Sequence, residues 1–234
     1  MIERLLNPEP DWRTFNDYDV LDKKETHVFK MRIDQNHQKF QEQYIKILSE
    51  EELLKAKKFA RNEDSTRYLL SRFASRFILA NYLLTSPSEI HFHLSANKKP
   101  MVDGVEFNIS HSGDYIVMAI APGPVGIDLE YIREDFNFDN LLDDCFSVTE
   151  KQFIMQKNEE RIRFYLLWTR KESLLKATGE GLTDHLNQLD CSLSSTILRN
   201  HTSYYIKSFS IDRDHIMSVS GTNESTKFQY WDYS

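Results

Sequence analysis

The spacing of hydrophobic and polar positions changes several times along the chain. Val28 to Ile33 alternates apolar and basic side chains, the period of two expected of a strand. Residues 37–60 read as helical, with a break near Ser49, which heads the capping sequence Ser49-Glu50-Glu51-Glu52. A long helix is predicted over 64–84, stopped by Ser86-Pro87. Short strands follow at about 90–95, 105–110 and 115–121, with turns at Asn97-Lys98-Lys99-Pro100 and Ser112-Gly113-Asp114. Then the order starts again. Val125 to Glu130 is a strand, and helices are predicted over 149–157 and 161–178, the second ended by Gly179 at a C-cap position. Strands at about 189–196, 203–211, 214–221 and 227–232 complete the pattern.

The two runs match at an offset of 97 residues: Tyr68-Leu69-Leu70 falls on Tyr165-Leu166-Leu167, Phe77-Ile78 on Leu174-Leu175, and Ala80 on Ala177. A duplicated unit of strands and one long helix predicts an α+β fold of two pseudo-symmetric lobes, each an antiparallel-rich sheet packed on its helix. The expected division is an N-terminal extension at 1–26, which is polar and weakly periodic, a first lobe at 27–122 and a second at 123–234. A cleft between such lobes is a usual place for a ligand.

Composition narrows the function. All seven glycines lie between Gly104 and Gly221, and neither GxGxxG nor GxxxxGK[ST] occurs, so a glycine-rich phosphate cradle is excluded. Bound phosphates would therefore meet side chains. Two cysteines, Cys145 and Cys191, are too few for a disulfide framework or a thiolate zinc site. No apolar run approaches the length of a membrane span, and residues 1–7 do not read as a signal peptide, so a cytoplasmic protein without membrane contact is expected. The net charge of -7 argues against a nucleic-acid partner.

Three motifs carry candidate chemistry. In Val125-Gly126-Ile127-Asp128-Leu129-Glu130, strand alternation places Asp128 and Glu130 on one face, with Gly126 expected to leave open space beside them. Paired carboxylates repel, and a hard divalent cation such as Mg²⁺ relieves that repulsion. A solvated strand face is the plain alternative. In Trp168-Thr169-Arg170-Lys171-Glu172-Ser173-Leu174-Leu175-Lys176, the residues Trp168, Glu172 and Lys176 form one helical stripe. Glu172 would be a third cation ligand there, and Lys176 a cation near a phosphate. In Phe107-Asn108-Ile109-Ser110-His111-Ser112-Gly113, small hydroxyls, a histidine and turn N–H groups suit an anion.

Together these residues resemble the 4′-phosphopantetheinyl transferase superfamily, nearest its monomeric two-lobed type that activates peptide and polyketide synthetases. The family's Gly-x-Asp-x-Glu strand stands here at Gly126–Glu130, and its Trp-x-x-Lys-Glu-x-x-x-Lys helix at Trp168–Lys176. Lys99-Pro100, Asn108–Gly113 and Phe146-Ser147-Val148-Thr149-Glu150 match further family segments in order, and the likeness covers roughly residues 27–221. The resemblance implies transfer of the phosphopantetheine arm of coenzyme A to a serine of an apo acyl or peptidyl carrier protein, releasing adenosine 3′,5′-bisphosphate. It implies Mg²⁺ on Asp128, Glu130 and Glu172. It implies coenzyme A contacts from Lys55, Arg67, Lys99, Ser110, His111 and Lys176. The serine proton could pass to Glu172, to Glu150 or to a metal-bound water, and Lys176 would stabilise or protonate the leaving phosphate. Lys57, Lys58 and Arg72 read as a solvated helix face. Residues 133–148, with Phe136, Phe138, Leu141, Leu142 and Phe146, are either a carrier-docking surface or core. A monomer is expected, since both lobes belong to one chain. Two other functions stay open: a module that binds without transfer, and another Mg²⁺-dependent phosphoryl enzyme.

Overall fold

Two long helices each lie against the face of a five-stranded sheet. The computed structural model describes residues 2–16, 21–181, 186–222 and 227–233. In chain order the strands are β1 Leu6–Asn7, β2 Arg13–Thr14, β3 Thr26–Arg32, β4 His93–Leu94, β5 Pro100–Met101, β6 Glu106–Ser112, β7 Tyr115–Ala121, β8 Val125–Tyr131, β9 Thr196–Arg199, β10 Thr202–Ser210, β11 His215–Gly221 and β12 Phe228–Asp232. The helices are α1 Ile33–Phe40, α2 Tyr44–Ile47, α3 Glu50–Ala56, α4 Asn62–Leu83, α5 Asp139–Cys145, α6 Val148–Ile154 and α7 Glu160–Thr178. One sheet runs β2-β12-β3-β7-β6, the other β1-β10-β11-β8 with β9 also paired to β10.

The α+β, two-lobed reading holds, and the internal repeat extends to local devices. In the first lobe β3, β7 and β6 pair antiparallel in that order, and in the second β8, β11 and β10 do the same. Helix α3 starts with a capping box of Ser49 and Glu52, and α6 with one of Ser147 and Glu150. Ile33 N–H donates to the Asp114 carbonyl at 2.9 Å, and Ile132 N–H to the Asp214 carbonyl at 2.7 Å. Helix α4 packs Leu70, Phe73, Ile78 and Leu79 into the first core. Helix α7 packs Leu166, Leu167 and Leu174 into the second. Each such side chain contributes about 1.5–3 kcal/mol on burial. A third apolar layer joins the lobes: Val28, Val117 and Ala119 meet Val125, Ile127, Leu129, Met217 and Val219.

The structure departs from the sequence reading in three places. First, the chain ends cross between lobes. β12 pairs parallel to β3 in the first sheet, and β1 pairs parallel to β10 in the second. The last strand therefore leaves the expected 123–234 lobe, and Leu5, Phe15 and Leu21 of the expected extension at 1–26 enter the cores. Phe15 packs edge-on against Phe29 and Trp231, and Leu5 lies in the second core. Residues 1 and 17–20 of that extension lie outside the described residues. Second, no strand spans 189–196. Buried charges on α6 and α7 take its backbone groups instead: Cys191 N–H donates to Glu150 at 2.9 Å, and Arg170 donates to the carbonyls of Cys191 at 2.8 Å and Ser194 at 2.6 Å. Third, residues 139–145 form helix α5, which the pattern does not predict.

Helix α7 approaches β8 closely because of Gly126. A Cβ there would run into the Ser173 carbonyl and the Ala177 N–H of the helix backbone. The space expected beside the carboxylates is filled by helix α7 itself. Among the described residues no helix is long and apolar enough to cross a membrane.

Two measurements follow from this packing. Gly126→Ala must push α7 off the sheet, and overpacking of this kind costs about 3 kcal/mol or more when backbone has to move. The urea midpoint should fall accordingly, and an unchanged midpoint would contradict the contact. The crossing of β12 also has a pH signature. His27 is buried, accepts a hydrogen bond on Nδ1 from Trp231 Nε1 at 3.0 Å, and donates from Nε2 to the Asp22 carbonyl at 2.9 Å. Burial depresses its pKa below the ordinary 6.5. The neutral ring's contribution is therefore whole above that value and is lost as the pH falls through the lower folded-state pKa. Melting temperature should drop between pH 7 and pH 5, by about 2–4 °C for each kcal/mol lost, and by less in His27→Gln. Equal drops in both proteins would remove His27 from the account.

Candidate active site

The site forms where the two sheets present their edges to each other. β6 and β8 run side by side in the same direction, yet no backbone ladder joins them. Alternate side chains of β6 bridge the gap. Asn108 Oδ1 accepts from Ile127 N–H at 2.9 Å. Ser110 Oγ donates to Asp128 Oδ1 at 3.0 Å. Ser112 Oγ donates to Glu130 Oε2 and accepts from Tyr131 N–H, both at 3.0 Å. Two ammonium groups fill the carbonyl side. Lys99 donates to the Val125 carbonyl at 3.2 Å and the Lys176 carbonyl at 3.1 Å. Lys176 donates to the Ile127 carbonyl at 3.2 Å, to Ser110 Oγ at 3.1 Å and to Asp128 Oδ1 at 2.6 Å.

Charge is concentrated in this seam. Burial raises the Asp128 pKa against the pull of Lys176, and Asp128 Oδ2 is buried with no partner among the described residues. Glu130 is pushed up to about 7, first by burial and then by the Asp128 charge, while Ser112 and Trp168 donate to it. Glu172 is raised by burial and by Asp128. Asp128 thus acts on both other carboxylates, with one oxygen left over. Among the described residues no three acidic, histidine or cysteine side chains are already gathered as a metal cluster. The donor set nevertheless fits Mg²⁺, which takes a few carboxylates and completes its shell with water and substrate phosphate.

Two clefts reach β6, one at Asn108 and His111 and the other at Ser112. The larger, about 570 Å³, lies on the first lobe and is lined by Lys55, Arg72, Arg76, Lys98 and His111 together with Tyr68 and Phe92. Lys55 sits 5.1 Å from the Tyr68 ring. Arg72 lies 3.6 Å from the centre of the Phe92 ring and donates to Glu52 at 2.6 Å, so its expected place on a solvated face is corrected. Arg76 is held by Glu52 and by the Pro87 and Ile90 carbonyls. Desolvation, followed by the charges of Arg67 and Lys176, lowers the His111 pKa. Arg67 donates to Asp64 at 3.0 Å, and its Nε has no partner among the described residues. The smaller cleft, about 290 Å³, is lined by Ser112, Gly113, Glu130, Phe136, Leu141 and Trp168, among others. From the apolar 133–148 stretch, Phe136 and Leu141 face this cleft, whereas Phe138 and Phe146 are buried in the second core.

The structure therefore joins Asp128, Lys176 and Ser110 directly, with Glu130 and Glu172 within electrostatic reach of Asp128, and His111 within reach of Lys176 and Arg67. Lys55 stands further out, in the larger cleft. Glu150 is not among them. It is fully buried, and its carboxylate accepts from Ser147 N–H at 2.8 Å, Cys191 N–H at 2.9 Å and the Lys171 ammonium at 2.8 Å. Those bonds cap α6 and neutralise Lys171, and leave the group away from the seam as a structural carboxylate. Sequence reasoning quoted Asn108 and Ser112 without assigning them to the lobe contact. The signal was the period of two: Asn108, Ser110 and Ser112 share one face of β6.

Comparison with known proteins matches both halves of the chain in sequence. A family profile described as the 4′-phosphopantetheinyl transferase superfamily matches residues 124–222, and one described as 4′-phosphopantetheinyl transferase, N-terminal, matches residues 35–123. The 4′-phosphopantetheinyl transferase Sfp of Bacillus subtilis strain 168 is 30% identical over 189 residues, 76% of this chain and 84% of the relative. HetI of Nostoc sp., which carries the same description, is 30% identical over 181 residues, 74% of this chain and 76% of its own length. A Synechocystis sp. relative is 34% identical over 154 residues, 62% of this chain and 63% of its own length. With both halves of the chain matched in order, and Sfp 30% identical over 84% of its length, the chain belongs to the 4′-phosphopantetheinyl transferase superfamily.

Proposed function

We propose that the protein transfers the 4′-phosphopantetheine arm of coenzyme A to a serine hydroxyl of an apo carrier protein, releasing adenosine 3′,5′-bisphosphate, with Mg²⁺ as cofactor. The observation that carries this reading is the Asp128–Lys176 contact at the seam, flanked by a cation-rich cleft that reaches β6 at Asn108 and His111 and an aromatic cleft that reaches Ser112 and Glu130. A polyanionic donor suits the first cleft, and an acceptor with an apolar surface suits the second. Sfp and HetI, two of the relatives reported above, are described as 4′-phosphopantetheinyl transferases.

In this reading Lys55, Arg67, Ser110 and His111 hold the phosphates of coenzyme A. Lys99 has two of its three N–H donors committed to Val125 and Lys176, and the third is directed to phosphate. Asp128, Glu130 and Glu172 would hold Mg²⁺, which supplies charge neutralisation at the pyrophosphate and at the leaving oxygen when bound. The serine oxygen attacks the phosphorus that carries pantetheine, and the bond from that phosphorus to the adenosine bisphosphate oxygen breaks. Glu172 accepts the serine proton. Lys176 faces the leaving phosphate, where its contact strengthens as charge develops. Trp168 and the aromatic cleft limit water at Glu130. One chain supplies all these groups, so a monomer suffices.

Incubation with coenzyme A, Mg²⁺ and a panel of apo carriers, read by intact mass, should show a phosphopantetheine adduct. Asp128→Ala should lower turnover at least about a hundredfold, the scale on which single charge-stabilising groups act, with the circular dichroism spectrum retained. No adduct on any carrier would refute the transfer reaction, and undiminished turnover in the variant would refute the assignment of Asp128.

A further inference from the structure

The repeat brings two equivalent hairpins together, and only the first contributes a strand, β6, to the seam. In the first lobe β6 turns at Gly113 into β7. In the second, β10 turns through Asp212 into β11. By register His215 stands in the second lobe where Tyr115 stands in the first: His215 opposes Tyr131, and Tyr115 opposes Arg32. The two rings meet edge to face at 5.0 Å, and the Tyr131 ring lies 5.1 Å from the imidazole.

His215 is 4% exposed. Its Nδ1 lies 2.9 Å from Asp212 Oδ1, so Nδ1 carries a proton and donates it to the carboxylate. Nε2 is buried and has no partner among the described residues. Leaving such a group unpaired is unfavourable, and a plain aromatic ring would fill the same space without that penalty. The ring edge instead lies against Gly113, where a Cβ would run into Nε2 and crowd Tyr131 at 3.2 Å. Gly113 has φ +54°, so the turn itself also selects glycine. The residue before it, Ser112, holds both Glu130 and Tyr131 N–H.

We propose that Asp212 and His215 are positioning residues: the carboxylate fixes the imidazole, the imidazole braces the Gly113 turn, and the turn keeps Ser112 on Glu130. The brace stands on geometry alone. Its service to the reaction rests on the proposed transferase reading, in which Glu130 is a cation ligand. A ring that merely filled the core would stabilise the lobes without controlling Ser112.

Two readouts separate these cases, in His215→Ala and in Asp212→Asn, which keeps the ring and nearly the same volume. The first is amide exchange at Tyr131, whose N–H bonds to Ser112. It should quicken at least about tenfold, while exchange at Ile127, held by Asn108, stays within twofold. The second is Mg²⁺ binding by calorimetry with coenzyme A and no carrier. Affinity per folded molecule should weaken by about tenfold, the lower range for residues that orient metal ligands. Unchanged Tyr131 exchange in folded Asp212→Asn would overturn the brace. Quickened exchange with unchanged Mg²⁺ affinity would overturn its role in the site. A lower melting temperature with both readouts unchanged would show a structural ring only. If the wild-type protein binds no Mg²⁺, the metal assignment of the proposed function fails, and Tyr131 exchange still decides the brace.

Discussion

A strand edge must find partners for its backbone groups, and β8 finds them in side chains. Its neighbour β6 offers an amide and two hydroxyls, and Lys99 and Lys176 take the carbonyls of Val125 and Ile127. A second sheet strand in that place would satisfy the same groups with its own backbone and leave no room for chemistry. The substitution of a side-chain bridge for a ladder is what puts Asp128, Glu130 and Lys176 at the meeting of two lobes. It also explains the high polarity of a buried seam: each hydroxyl and amide there has a backbone or carboxylate partner.

The bridge needs a rigid frame, and α7 supplies it. Gly126 brings its backbone against β8. Arg170 and Lys171, both almost fully buried, tie the helix to the 186–194 segment through its carbonyls and through Glu150. Breaking a buried charge pair is strongly unfavourable, whereas the intact pair adds little net stability. The function of these groups is to fix geometry: Glu172 and Lys176 follow on the same helix, and their positions depend on it. The motif lysine-glutamate pair at 171–172 is therefore divided between tasks, one residue anchoring the helix and its neighbour turned toward the carboxylates.

Much of this was legible in the sequence because it is local. Period-two alternation placed Asp128 and Glu130 on one face of β8, helical spacing placed Trp168, Glu172 and Lys176 in a stripe, and Gly179 marked the end of α7. The repeat predicted the lobes. What stayed hidden is non-local. Nothing in the alternation of 228–232 says which sheet it joins, because parallel pairing to β3 is decided by packing of Trp231 on His27 and Phe29. The segment at 189–196 has strand-like composition, but buried cations elsewhere claim its carbonyls. Glu150 reads as a free carboxylate in a family segment until the fold buries it. His215 carries no motif at all, since its partners Asp212, Gly113 and Tyr131 come together only in three dimensions.

In the proposed function, coenzyme A and Mg²⁺ occupy a site made jointly by the two lobes. Hydrogen–deuterium exchange read by peptide mass, with and without both ligands, tests it most directly. Protection should rise together in β6, at residues 106–112, and in β8 and the second half of α7, at residues 125–131 and 168–178. Protection confined to the first lobe, with β8 and α7 unchanged, would contradict it.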